Sequence, residues 1–401
     1  MPSRPALLRH PDLRDFRLLV AGATASSFGN AITPVALAFA VLDLGGSASE
    51  LGLVVAVFAL LEVVTALFGG VLGDRIPRRL MMEGSAAGSA LVQATLAASL
   101  LTGVATIPLL AVLGGLTGVL SALSQPSSRA MTRLTVPAAD LARAVATRTM
   151  LQTSAMTAGY AVGGVLVAGV GSGWAIAIDA ATYAVSAVCF GRIRVAQARP
   201  EGPRTSMLAD LGEGVREVLR HTWLWLMILQ AMVYHLLYGG AQGVLGPVVV
   251  GEGIGRSAWG FAMAALMAGF VVGSVVAMRW RPRRSLYAGA WLLCLTALFP
   301  LAMALSGSLT VILAGAFLHG FGLQLFDIFW DLSIQRHVPE DKLARVYSLD
   351  VVGSFVARPV GLALTGPVAE AVGLHRWLLV VGLAMLAVEV AALFSREVRR
   401  L

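Results

Sequence analysis

The sequence predicts an all-α membrane protein, with twelve transmembrane helices in two pseudo-symmetric bundles of six. Three observations carry that prediction. The chain is 57% hydrophobic and only 13% charged, with a mean hydropathy of +0.80, whereas a soluble domain carries roughly 25% charged residues. Its apolar residues gather into twelve runs of about 18–28 residues, close to the ~20 that span a bilayer as a helix. The longest interruption, 192–222, divides the runs six and six.

The runs lie near 18–42, 51–73, 80–102, 106–126, 149–170, 174–191, 223–250, 257–278, 286–306, 309–330, 346–369 and 377–395. A backbone in lipid must satisfy its own hydrogen bonds, so each run is read as a helix. Barrel strands of alternating polarity are absent.

Charge supports this order of elements. With the N-terminus in the cytoplasm, the seven inward segments hold 27 of the 30 Lys+Arg, and the outward loops hold only Arg256 and Arg376. Arg358 falls inside a span. Such a split follows the positive-inside rule, and losing one helix would scramble it. The net charge of +8 therefore reflects topology and anionic lipid rather than nucleic acid. No short apolar core with a small-residue cleavage site opens the chain, so no cleaved signal peptide is expected. Cys189 and Cys294 lie in spans and suggest neither a disulfide nor a metal cluster.

Three domains follow: 1–192, a linker 193–222, and 223–401. Within the linker Leu208, Leu211, Val215, Val218 and Leu219 recur with helical spacing. That predicts an amphipathic helix on the inner membrane surface, with Asp210, Glu213, Arg216, Glu217 and Arg220 on its wet side. The halves repeat. Val136-Pro137 through Leu141-Ala142-Arg143 returns as Val338-Pro339 through Leu343-Ala344-Arg345, offset by 202. The same offset pairs Gly159 with Gly361, Gly164 with Gly366, and Gly171 with Gly373.

Residues 69–79 read Gly-Gly-Val-Leu-Gly-Asp-Arg-Ile-Pro-Arg-Arg, between the second and third runs. The pattern Gly70-x-Leu72-x-Asp74-Arg75-x-Pro77-Arg78-Arg79 resembles the signature loop of the major facilitator superfamily, with Pro77 where that family has glycine. Proline still suits a tight turn. Further residues resemble the branch of macrolide, tetracycline and enterobactin exporters. They are Phe16-Arg17-Leu18-Leu19 and Ser27-Phe28-Gly29-Asn30 in span 1, Pro126-x-x-Arg129 after span 4, Asp179-Ala-Ala-Thr-Tyr183 in span 6, and Asp210-Leu-Gly-Glu213-Gly214-Val-Arg216 in the linker.

The resemblance implies two parallel six-helix repeats, a substrate site between them near mid-membrane, and rocking motion. It gives Gly70, Asp74, Arg75, Arg78 and Arg79 the role of a cytoplasmic gate motif. There Asp74 would accept hydrogen bonds at the N-terminus of helix 11, a position that favours a carboxylate. Gly159-Tyr160-x-x-Gly163-Gly164 resembles the packing motif of antiporters in this superfamily, with Tyr160 replacing its proline. Small residues there allow close helix contact.

Acids within a span are costly and usually face a cavity or a partner. Asp327 shares a face of span 10 with Gln324 and Asp331, and His319 lies two turns back. It is expected to exchange protons, with Glu62 at the centre of span 2 as a second candidate. Desolvation suits such a role. Asp331 fits a carboxylate near the cytoplasmic end, bonded to Arg336 or water. Glu389 reads as structural. Asp179 reads as an outer-gate hydrogen-bonding group about one turn into span 6, and Asp350 and Arg358 are left unassigned. In span 7, Gln230, Tyr234, Tyr238 and Gln242 recur every four residues, bordered by His235, as a polar-aromatic face suited to an amphipathic ligand. The expected substrate contacts are Asn30, Gln230, Tyr234, Tyr238, Gln324 and Asp327. Asn30 stands where the branch often has Asp, and span 4 lacks the buried arginine of some antiporters.

No nucleophile–base pair or phosphate loop appears, and six scattered histidines lack metal-ligand spacing. The chain is expected to be a transporter rather than an enzyme, with no cofactor and no metal. Its partners would be a small-molecule substrate, protons and the lipid bilayer, but no nucleic acid. It would act as a monomer in the plasma membrane, with both termini cytoplasmic. Proton-coupled efflux of an antibiotic, metabolite or siderophore is the expected function. An importer of a polar solute and a transport-inactive receptor are the alternatives.

Overall fold

The structure, a computed structural model, describes residues 13–73, 76–195 and 215–401, excluding the side chains of 67–73, 341 and 344. Twelve helices are long and apolar enough to cross a membrane. They are α1 Arg14–Asp43, α2 Ala48–Gly73, α3 Arg78–Leu101, α4 Ile107–Leu134, α5 Leu141–Val170, α6 Ser172–Gly191, α7 Thr222–Glu252, α8 Arg256–Arg279, α9 Ser285–Leu305, α10 Leu309–His337, α11 Arg345–Val372 and α12 Leu374–Ala392. No strand occurs among the described residues. Helices α4 and α5 outrun the apolar stretches that predicted them. Both continue through polar turns around Arg129 and Arg143, where hydropathy alone gives no signal.

Pro34 and Pro126 are absorbed within α1 and α4, but three other helices depart from regular winding, each near a proline. In α11 the helical pattern breaks at Val356–Ala357, and Pro359 sits in the first turn of the following segment. A proline restricts the residue before it and removes an N–H, so the helix restarts there. In α9 a 3₁₀ stretch, Cys294–Ala297, precedes Pro300. In α7 the last turns widen into π-helix at Ala241–Leu245 and Pro247–Glu252. The ring of Pro247 would strike the carbonyl four residues back in an α-helix, and the wide turn makes room.

The chain forms two compact units. The first holds residues 1–44 and 57–201, and the second holds 45–56 and 202–401. In the first, α1 packs on α5 and α6, and α3 packs on α4 and α6. In the second, α10 packs on α8 and α9, and α7 on α11 and α12. The opening turns of α2 belong to the second unit. The Ser49 N–H and hydroxyl donate to the Glu370 carboxylate at 3.0 and 2.7 Å.

The internal repeat has a structural counterpart. Gly171 and Gly373 turn the chain from α5 to α6 and from α11 to α12 with φ of +90° and +100°, a conformation that favours glycine. Gly159 leaves no room for a Cβ beside the Phe28 carbonyl of α1, and Gly361 leaves none beside the Leu236 carbonyl of α7.

Of the linker, Leu208, Asp210, Leu211 and Glu213 lie outside the described residues. Residues 215–220 are helical. Glu217 does not face water as the amphipathic pattern predicts. It is 5% exposed and binds Lys342 at 2.7 Å and Arg220 at 3.2 Å. Val215 and Leu219 are exposed instead, while Val218 is buried.

Candidate functional site

Buried polar clusters occur in both units. In the first, Arg148 of α5 donates to the Ser128 carbonyl and hydroxyl and to Thr132 of α4. A second cluster there centres on Asp179 of α6, which is 0% exposed. It accepts hydrogen bonds from the Thr33 hydroxyl, from Gln93 Nε2 at 2.9 Å and from Thr182 Oγ1 at 3.2 Å. One residue makes this approach possible. A Cβ on Gly29 of α1 would collide with the Asp179 and Thr182 side-chain oxygens, so glycine lets α6 close on α1. Nearby, the Tyr183 hydroxyl donates to Asn30 Oδ1. Asn30 is exposed, and Glu62 is half-buried. Asp179 lies two turns into α6, rather than one, and is fully enclosed.

In the second unit a chain of hydrogen bonds crosses four helices. The Tyr234 hydroxyl lies 2.7 Å from His319 Nε2, and His319 Nδ1 lies 2.7 Å from the Thr296 carbonyl. Because a carbonyl only accepts, Nδ1 carries the hydrogen. Nε2 then faces the Tyr234 hydroxyl, which can either donate or accept. Thr296 Oγ1 donates to Glu389 Oε1 at 2.6 Å. The Thr296 carbonyl is available because its α-helical partner would be the N–H of residue 300, which is proline. The His319 ring stacks on Tyr238 at 4.2 Å, and Tyr238 on Tyr234 at 5.2 Å. Glu389 is thus a buried member of this chain at 1% exposure.

The expected substrate contacts divide by exposure. Gln230, Tyr234 and Tyr238 are buried at 3%, 7% and 6%. Both polar atoms of the Gln230 amide lack a partner among the described residues. Gln242 leaves the tyrosine stripe at the first π turn, and its Nε2 turns to Met263 Sδ at 3.3 Å. His235 packs on Phe355 at 4.1 Å. Gln324 is half-buried, while Asp327 is exposed. Asp327 has no hydrogen bond or ion pair among the described residues, although Asp350 is close enough to repel it. The neighbouring acids are held. Asp331 accepts from the Tyr347 hydroxyl and from Gln335, not from Arg336, and Asp350 accepts from Trp330 Nε1 at 3.0 Å.

Asp74 and Arg75 lie outside the described residues, as does any side-chain environment at Gly70. Pro77 directly precedes α3 with φ −53° and ψ 130°, which starts the helix without needing an N–H. Arg79 pairs with Glu83 at 3.5 Å. Arg78 opens α3. In α5, Gly163 would place a Cβ 3.1 Å from the Ile32 Cα of α1, and Gly164 is buried. This glycine face therefore serves the α1–α5 contact within the first unit. Among the described residues no three His, Cys, Asp or Glu side chains converge on a possible metal position.

The family model of the Major Facilitator Superfamily matches residues 19–362. The chain belongs to the Major Facilitator Superfamily. This superfamily member is 28% identical to the multidrug efflux pump Tap of Mycolicibacterium fortuitum, over 96% of each chain. It is 23% identical to macrolide efflux protein A of Streptococcus pyogenes, over 96% of this chain and 97% of the other. An uncharacterised transporter of the superfamily, YfiS of Bacillus subtilis, is 26% identical over 95% of this chain and 93% of its own. Among solved structures, the nucleoside transporter NupG superposes with a TM-score of 0.75 at 12% identity, covering 96% of this chain and 98% of that one. A POT family transporter in complex with a peptide superposes at 0.71, with 13% identity over 94% of this chain and 95% of the other. At such identities these likenesses establish the fold alone. As a facilitator, the protein is a multi-pass membrane transporter of small molecules and not an enzyme.

Sequence reasoning missed Thr33, Gln93 and Thr296. Gln93 alone had a signal, as an amide within the third apolar run. A buried amide in lipid needs partners, and this one reaches Asp179 and Thr33. Thr33 and Thr296 carry no signal, because threonine is common in such helices.

Proposed function

We propose that this facilitator exports amphipathic small molecules in exchange for protons, by alternating access. One observation carries the reading. Asp327 is an exposed carboxylate without a hydrogen-bond partner among the described residues, about two-thirds of the way along the membrane-spanning helix α10. In lipid such a group is untenable, so its exposure marks a watered surface. A carboxyl there can take a proton on one side and yield it on the other.

Asn30, Gln230, Tyr234, Tyr238 and Gln324 would contact the substrate beside Asp327, and Glu62 would be a second proton carrier. The enclosed residues among them, Gln230, Tyr234 and Tyr238, would be uncovered as the units move. Gly70, Asp74, Arg75, Arg78 and Arg79 would form the cytoplasmic gate. Both termini would be cytoplasmic, the protein would sit in the plasma membrane, and the monomer would be the working unit. The relatives named as multidrug and macrolide efflux proteins support export as the direction.

The test is accumulation of ethidium, erythromycin, tetracycline and a catecholate siderophore in a pump-deficient bacterial host, with and without a protonophore. Lower accumulation that the protonophore abolishes is the expected result. Raised accumulation would mark an importer. No effect across the panel, with the protein in the membrane, would rule out broad drug export.

A further inference from the structure

Asp179 and Gln93 carry an arrangement that the reading above leaves unused. The carboxylate is fully enclosed, and all three of its donors are neutral. No basic side chain pairs with it among the described residues. An enclosed carboxylate without a counter-charge is costly even when hydrogen-bonded. Gln93 is itself 1% exposed. Its Nε2 donates to Asp179 Oδ2 and to Thr33 Oγ1 at 2.9 and 3.2 Å, while its Oε1 is buried with no partner among the described residues. A buried acceptor left idle beside a carboxylate is uncommon.

We propose that Asp179 and Gln93 form a proton switch in which the glutamine amide serves both charge states of the acid. With Asp179 ionised, Gln93 donates through Nε2. When Asp179 Oδ2 takes a proton, a half-turn of the amide brings Oε1 to accept from the new O–H. Nothing else is consumed: one proton enters and one O–H bond forms. Each state leaves one amide atom unpaired, so neither is overwhelmingly preferred. Protons would arrive by way of the half-buried Thr33 hydroxyl, one turn beyond the exposed Asn30 on α1.

The charged and titratable groups around this site are few. Tyr183 lies one turn along α6, and Glu62 of α2 bears on Tyr183. Arg78, Arg79 and Glu83 of α3 lie ten or more residues before Gln93, about 15 Å or more along the helix. Arg14, Asp15, Arg17 and Asp43 are at the ends of α1. On α5, Arg143 and Arg148 are in its first turns and Tyr160 is midway.

The proposal rests on proton coupling for its purpose, but its test needs no substrate. Purified protein in nanodiscs, carrying ¹³C-carboxyl aspartate, is titrated by infrared difference spectroscopy. The wild type is expected to gain a protonated-carboxyl band as pH falls, and Asp179→Asn to lack that band. With ¹³C-amide glutamine as the label, the wild type is expected to show an amide band that shifts with the same midpoint, and Gln93→Leu, which keeps the acid, to lose that shift. Identical wild-type and Asp179→Asn titrations would overturn the proposal. So would a wild-type amide band that stays still while the carboxyl titrates, which would reduce Gln93 to packing. Absence of drug export would leave these spectra untouched, so the two readings fail separately.

Discussion

The backbone of Gly361 lies directly against the carbonyl oxygen of Leu236, with no space for a Cβ between them. Gly159 meets the Phe28 carbonyl in the same way in the other unit. Alanine at either position must push two helix backbones apart. Gly159→Ala and Gly361→Ala are each expected to cost about 1–3 kcal/mol, as overpacking does. Gly84, on an open face of α3, has nothing within 4 Å of a Cβ. Gly84→Ala should instead stabilise by about 0.5–1 kcal/mol. Thermal unfolding in detergent reads all three, and equal shifts would refute the distinction.

The Lys342–Glu217 pair predicts a pH dependence. The hydrogen bond from Lys342 holds the Glu217 carboxyl below its ordinary value. In the unfolded chain a glutamate titrates near ~4.3. The pair's stabilisation is therefore complete above that pH and is lost as pH falls through the depressed folded value. Lys342→Met should destabilise by about 1.5–3 kcal/mol at neutral pH. The deficit should shrink in acid, as followed by unfolding midpoints between pH 3 and 8. A deficit constant with pH would mean that Lys342 acts by packing.

Thr296 is the sole donor to Glu389 among the described residues, and Glu389 Oε2 has no partner there. Thr296→Val should cost about 1–3 kcal/mol by orphaning a buried group. With Glu389→Leu the two changes should fall short of additivity, since the second removes what the first orphaned. A double-mutant cycle in detergent gives the answer, and strict additivity would deny the coupling.

Transport should separate the acids of α10. Asp327→Asn is expected to abolish protonophore-sensitive efflux. Asp331→Asn should retain most of it, because Asp331 is already bonded to Tyr347 and Gln335. Initial rates of ethidium efflux across pH 6–8 compare the two. Unchanged rate and pH profile in Asp327→Asn would remove Asp327 from coupling.

The large-scale order of this protein was legible because it depends on properties that add along the chain. Apolar length marks each span. The 202-residue offset paired Gly171 with Gly373, and both turn the chain with a positive φ that favours glycine. The polar clusters were only half legible. Asp179, Tyr234 and His319 stood out as polar residues in apolar runs, but their partners sit on other helices, and pairing across helices leaves no periodic trace. Glu217 was misplaced for the same reason. An amphipathic pattern assigns an acid to water, and here Lys342, from a distant segment, covers it.

The wide turns of α7 have a mechanical meaning. Moving a single hydrogen bond from five residues' reach to four swings everything beyond it by about 100° around the axis. Such a shift at Ala241–Leu245 would re-aim Gln242 while Tyr234 and Tyr238 stayed in place. The wide turns thus leave the segment beyond Gly240 out of α-helical register with the tyrosine face before it.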